Sequence, residues 1–173
     1  MSRILIAPFS LVEETVRRHR PSHLLTLMVE PIVPTPVGID AARHRQINIH
    51  DILEPAEGTV CPAPSHIDEL LDFGRGWTRT APFLVHCWAG VSRSTAAAYI
   101  LLCDMHGPGY EERIARALRF YAPHAQPNRL MIGHADEILG RQGRMVDAVG
   151  AMGEARPLLQ GEVVELPVSL DAL

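Results

Sequence analysis

The stretch from Phe83 to Tyr99, FLVHCWAGVSRSTAAAY, constrains the chain more than any other. It opens on a short apolar run, Phe83 to Val85, of the kind that forms a buried strand. Beyond Ser94 it becomes an alanine-rich apolar segment reaching Cys103, which reads as a core helix. Between the two lies a tight loop carrying Cys87, Gly90 and Arg93. A strand that feeds a helix through so short a loop delivers that loop to the helix N-terminus. There the first N–H groups lack carbonyl partners and the helix dipole is positive, which suits an anion. If the loop curls, its own N–H groups form a nest. Gly90 permits a positive φ or a close backbone approach. Arg93 offers a planar fork matched to two phosphate oxygens. Cys87 at the mouth of such a nest sits where a thiolate is favoured. Thiolate, nest and guanidinium together suit attack on a phosphoryl group.

His86-Cys87-Trp88-Ala89-Gly90-Val91-Ser92-Arg93-Ser94 resembles the H-C-x-x-G-x-x-R-[S/T] signature of cysteine-dependent protein tyrosine phosphatases. Its Ala-Gly-Val-Ser-Arg-Ser core is most similar to the compact dual-specificity branch. Taken singly, Cys87 reads as a core thiol and Arg93 as a surface cation, but that leaves His86, Gly90 and Ser94 unexplained together. The likeness extends from about Gln46 onward, as strand, aspartate, irregular loop, helix, strand and signature. Pro127-Asn128 before a late helix is a further similarity.

Composition sets the outer bounds. With 173 residues, 47% of them hydrophobic, the chain fits a single domain with a real core. A net charge of −4 gives no reason to expect a nucleic-acid partner, and no apolar run is long enough to span a membrane. The start, Met1-Ser-Arg-Ile-Leu-Ile-Ala-Pro, is too short an apolar run for a signal peptide. Three cysteines without framework spacing suit a reducing, cytoplasmic setting. Nine scattered histidines show no zinc-site spacing, so neither metal nor cofactor is expected.

Along the chain, Arg3–Ala7 reads as a strand and Leu11–Arg18 as a short amphipathic helix. His23–Val29 reads as a buried strand, followed by a Pro-rich loop. Gln46–His50 alternates as a half-buried strand should, with Asp51 directly after it. A long irregular loop follows, and such loops in compact domains are often functional. Ser65 and Asp68 are placed to cap the next helix, which runs towards Trp77. After the central strand, loop and helix come helices over Glu111–Tyr121, from Asn128 through Leu139, and over Arg144–Met152. The expected architecture is α/β, with a mostly parallel sheet, helices on both faces, and the phosphate-binding loop between a central strand and helix. Ligands in such sheets bind beyond the carboxyl ends of the strands. Residues 1–152 form the expected catalytic domain. Residues 153–173 form an expected loosely packed tail, whose Val163-Val164 and Leu166-Pro167-Val168 can dock on the body or on another subunit.

The resemblance assigns roles residue by residue. Cys87 is the implied nucleophile, and Arg93 the group that holds two phosphoryl oxygens. The backbone of Trp88, Ala89, Gly90, Val91, Ser92 and Arg93 supplies the cradle. Ser94 contributes a hydroxyl to the thiolate, and His86 orients the loop. The implied proton donor is an aspartate upstream of the cysteine. Asp51 is the first choice, Glu57 beside Gly58 the alternative, and Glu54 a third. Asp51 also reads as a strand-end turn residue, Ser94 as a helix-start hydroxyl, and Trp88 as a packing residue. Cys61 and Cys103 read as structural thiols. The uncharged side chains at 88, 89, 91 and 92 point to a substrate with one phosphate, such as phosphotyrosine. The implied partner is a phosphorylated protein or a small phosphate ester. Other readings are a phosphatase for a non-protein ester, a catalytically silent module that binds phosphorylated ligands, and sulfur or arsenic chemistry on a cysteine loop.

Overall fold

The computed structural model of the chain describes residues 2–169. Five strands form one sheet: β1 (Arg3–Pro8), β2 (His23–Leu27), β3 (His44–Ile47), β4 (Phe83–Cys87) and β5 (Val164–Pro167), in the order β3-β2-β4-β1-β5. The first four run parallel, and β5 lies antiparallel to β1. Six helices surround the sheet: α1 (Val12–His19), α2 (Pro64–Arg75), α3 (Arg93–His106), α4 (Glu111–Tyr121), α5 (Arg129–Ile138) and α6 (Arg144–Gly150). This is the mostly parallel α/β sheet with helices on both faces that the alternating pattern implies. Among the described residues, no helix is long and apolar enough to cross a membrane.

The alternation of side chains along each strand sorts the core into two layers. Leu5, Ala7, Leu24 and Leu84 face α1 and pack on Val12 and Val16. Ile4, Ile6, Leu25, Leu27, Phe83 and Val85 face the other way, into the larger cluster built with the remaining helices. Because both faces are covered, β1, β2 and β4 read as continuous apolar runs rather than alternating ones. Helix α3 is buried from Ser94 to Cys103. A helix enclosed on all sides is apolar all round, which accounts for its run of alanine, isoleucine and leucine. In α4, Ile114, Ala117 and Leu118 face the core as their spacing implies. Asn128 caps α5, its Oδ1 accepting the Met131 N–H at 3.1 Å.

Three expectations are corrected. The strand expected over Gln46–His50 is paired over His44–Ile47 instead. Its register with β2 runs from Leu24↔His44 to Leu27↔Ile47, so the ladder ends where β2 ends. Ile49 stays buried beyond that point, which is why the alternation reads on to His50. Asp51 therefore stands past the ladder in irregular backbone. The helix start expected at Ser65 falls earlier: Ala63 is the N-cap and Pro64 the first helical residue. Proline is pre-set for that position, and the His66 Nδ1 accepts the Ala63 N–H at 3.1 Å. Finally, the segment after Gly153 is not a loosely packed tail throughout. β5 occupies the free edge of β1, with Ile6 opposite Val164 and Ile4 opposite Leu166. Val164, Leu166 and Val168 are buried in the main core. The alternative the sequence left open is thus resolved towards docking on the body. Residues 170–173 of that expected tail lie outside the described residues.

If β5 belongs to the cooperative core, Leu166→Ala lowers the unfolding free energy by about 3 kcal/mol. Urea denaturation measures this, and a loss within experimental error of zero would mean that the strand detaches independently.

Candidate active site

Strand β4 ends at Cys87 and α3 begins at Arg93, so residues 88–92 bridge a strand end and a helix start. The carbonyls of residues 87–91 have partners on the outside of the loop. The Cys87 carbonyl lies 3.3 Å from His86 Nδ1. The Trp88 carbonyl accepts the Phe9 N–H at 3.0 Å, and the Ala89 carbonyl accepts the Gly161 N–H at 2.7 Å. The Gly90 carbonyl faces the buried His124 ring. The Val91 carbonyl accepts from the Gln126 N–H at 2.9 Å and from Thr95 Oγ1 at 2.6 Å. A trans peptide places its N–H opposite its carbonyl. Each outward carbonyl therefore turns the next residue's N–H inward, which builds the nest from outside.

Gly90 is required twice over. Its φ is +71°, and a Cβ there would stand 2.8 Å from the Pro8 nitrogen and 3.0 Å from the Ala7 carbonyl carbon. The loop thus lies against the end of β1.

Cys87 is 1% exposed and forms the floor of the site. Its Sγ lies 3.2 Å from Ser94 Oγ, in the first turn of α3. The Arg93 side chain is 11% exposed and folds under Asp51. One of its nitrogens, Nη1, donates to the Ile49 carbonyl at 2.8 Å, while Nε lies 4.0 Å from Asp51 Oδ2. That Nε is buried without a hydrogen-bond partner among the described residues.

The structure brings Asp51 to the loop. Its Oδ1 accepts from Ser92 Oγ at 2.7 Å and from Asn128 Nδ2 at 2.9 Å. Asn128 also donates to the Ile52 carbonyl at 3.3 Å. The residue that caps α5 therefore also fixes the carboxylate and the start of its loop. Glu57 and Glu54 are exposed on that loop, and neither makes a hydrogen bond or ion pair among the described residues. Trp88 is 61% exposed and stacks on Phe9, with ring centroids 5.9 Å apart. A cleft of about 910 Å³ opens above Cys87, bounded by Trp88, Asn128, Arg129 and the 152–159 segment. Of the other thiols, Cys61 is half-buried and Cys103 is buried. Burial pushes Cys103 up to about 12, partly offset by the Tyr99 hydroxyl.

Sequence reasoning gave no supporting role to several residues. Thr26, on the α1 face beside His86, lies 2.7 Å from His86 Nε2 and 2.9 Å from His44 Nε2. Thr35 Oγ1 in turn lies 2.9 Å from His44 Nδ1. Because a carbonyl only accepts, His86 Nδ1 carries its proton toward Cys87, and Nε2 accepts from the Thr26 hydroxyl. The Thr26 oxygen then accepts from His44 Nε2–H, and His44 Nδ1 accepts from Thr35. Every role in the chain is fixed by that first carbonyl. The only signal in the sequence was a threonine at an apolar strand position, which calls for a hydrogen-bond partner. Gln126, His124 and Gly161, which meet the outside of the loop, carry no local signal at all.

Burial, then the charges of His44 and Arg93, lower the His86 pKa from 6.5 to about 4, against the Cys87 carbonyl, which raises it. As the pH falls below 6.5 the unfolded chain protonates this histidine before the folded one does. Stability is then lost progressively down to about pH 4. Wild type should lose about 3 kcal/mol more than His86→Asn over that range. Unfolding free energies against pH measure the difference, and parallel curves would exclude a neutral buried His86.

No protein-family profile matches the sequence, and no curated protein matches it. Solved structures do match. The crystal structure of DUSP15 aligns at 20% identity and a TM-score of 0.62, over 89% of this chain and 99% of that one. Human DUSP28 aligns at 16% identity and 0.59, over 87% and 95%. The Yvh1 phosphatase domain from Chaetomium thermophilum aligns at 19% and 0.56, over 82% and 93%. The chain therefore has the fold of the dual-specificity and protein tyrosine phosphatases.

Proposed function

We propose that this protein hydrolyses phosphate monoesters, phosphotyrosine foremost, through a phosphocysteine intermediate. The observation that carries the reading is the placement of the Cys87 thiol inside a loop whose carbonyls are held outward. In that arrangement the loop's N–H groups face away from those carbonyls, and Arg93 Nε, beside Asp51, has no hydrogen-bond partner among the described residues. Donors fixed before the substrate arrives stabilise the charge that spreads over the transferring phosphoryl oxygens.

In the proposed first step the Cys87 thiolate attacks phosphorus opposite the ester oxygen. The S–P bond forms, the P–O ester bond breaks, and the leaving oxygen takes a proton from Asp51. In the second step Asp51, now a carboxylate, accepts a proton from water. The hydroxide oxygen bonds to phosphorus, the S–P bond breaks, and inorganic phosphate leaves. Ser94 Oγ is within reach to donate to the departing thiolate. Arg93 holds two equatorial oxygens in both steps, a role that lysine cannot copy with a single point charge. Asp51 is favoured over Glu57 because Ser92 and Asn128 hold its carboxylate at the loop. A substrate with one phosphate is favoured because Trp88, Ala89, Val91 and Ser92 add no cation to the cradle. The expected partner is a phosphorylated protein, and the expected setting is the cytoplasm, where the thiol stays reduced.

Hydrolysis of p-nitrophenyl phosphate in EDTA with reductant tests the reading. Wild type should turn over, and Cys87→Ser should lose at least ~10³-fold in kcat. Turnover that survives in the variant would rule out the cysteine nucleophile. If wild type is inactive yet binds a phosphotyrosine peptide, the silent binding module replaces the enzyme.

The acid is identified on phenyl phosphate, whose leaving group needs protonation more. Asp51→Asn should lose about 10²-fold in kcat there and less on the nitrophenyl ester. Glu57→Gln should match wild type on both, and the reverse pattern would transfer the role to Glu57.

A further inference from the structure

The segment joining α6 to β5 first bounds the cleft with residues 152–159 and then, at Gly161, meets the carbonyl side of the loop. It is anchored at several points. Arg119 donates to the Met152 and Gly153 carbonyls, both at 3.2 Å. The Arg156 N–H donates to the Pro123 carbonyl at 2.8 Å. Gln160 Nε2 donates to Ser10 Oγ at 2.7 Å. The segment then enters β5, which the core holds.

At its closest approach the Gly161 N–H donates to the Ala89 carbonyl at 2.7 Å. No side chain fits there. A Cβ on Gly161 would stand 2.9 Å from the Gly90 oxygen, 3.1 Å from the Ala89 oxygen and 2.8 Å from His124 Nε2. The glycine is thus wedged against two consecutive carbonyls of the cradle. The Ala89 carbonyl and the Gly90 N–H belong to one planar peptide unit, so whatever holds the first outward aims the second inward.

We propose that Gly161 is a positioning residue for the phosphate-binding loop, and that the strap anchored on either side of it clasps the loop at the Ala89 and Gly90 carbonyls. The inference rests on the reading of that loop as a phosphate cradle. Gly161 acts through the backbone, by its N–H on the Ala89 carbonyl. It fixes the direction of one donor, and a peptide unit free to rotate would meet the substrate with that donor misaimed.

The test compares the wild-type chain with Gly161→Ala and Gly161→Val at a temperature well below their melting points. The readouts are kcat and KM on p-nitrophenyl phosphate, and competitive inhibition by inorganic phosphate. Gly161→Ala should lose about tenfold in kcat/KM, Gly161→Val more, and inhibition by phosphate should weaken in step. Variants that melt earlier but keep wild-type kcat/KM and phosphate inhibition would show a structural role only, and would overturn the proposal. Amide exchange in the wild-type protein needs no variant to fold. The Gly161 N–H should exchange more slowly than those of Gln160 and Glu162, and more slowly still with inorganic phosphate bound. Free exchange, or exchange indifferent to phosphate, would overturn the clasp. A wild type that neither turns over nor binds phosphate defeats the phosphatase reading itself, and the clasp with it. An active wild type matched by both variants defeats the clasp alone.

Discussion

The planarity of the peptide bond governs this molecule's candidate site. A short loop cannot aim several N–H groups at one point by its own preferences, because an isolated loop of this length samples many conformations. The aim comes from the carbonyls on the other side of the same peptide planes. Each has an outer neighbour: the His86 ring, the backbone after β1, the segment before β5, and the turn before α5. These neighbours come from widely separated parts of the sequence. The site is thus a local motif held in shape by non-local contacts.

The sheet makes those contacts available. β4 lies between β1 and β2, so Cys87 emerges beside the ends of both. On one side, Gly90 rests on the backbone at the end of β1, and Phe9 carries the chain over the Trp88 carbonyl. On the other side, Thr26 of β2 meets His86 beneath the loop. Helix α3 contributes Arg93 and Ser94 from its first turn, and its position is fixed by burial along its length. Asp51 is reached differently. It lies beyond the β2–β3 ladder, and its carboxylate is placed by Ser92 and by the asparagine that starts α5.

The segment from His86 to Ser94 was legible because its chemistry is local: residue types at fixed spacing between a strand and a helix. The apolar runs of β1, β2 and β4, the α4 face and the Asn128 cap were legible for the same reason. What escaped depends on pairing at a distance. Where β3 stops is set by the length of β2, not by its own alternation. Proline at the first position outweighed a serine cap for α2. The alternation of Val164, Leu166 and Val168 is visible in the sequence, but its partner, the open edge of β1, is not. The supports of the loop at Gln126, His124 and Gly161 are even less visible, because two of them act through backbone groups that every residue possesses.

The Gly161–Ala89 hydrogen bond joins two points far apart along the chain. A ribosome delivers the signature long before it delivers its outer neighbour. A nascent chain extended just past α3 already holds the thiol, the guanidinium and the hydroxyl. It lacks the backbone donor that turns the Ala89 carbonyl outward, and it lacks the strand that closes the edge of β1. Cys87 is therefore translated before the segment that completes its surroundings. In the interval the thiol belongs to a sheet whose β1 edge is still open and to a loop whose Ala89 carbonyl still lacks its partner.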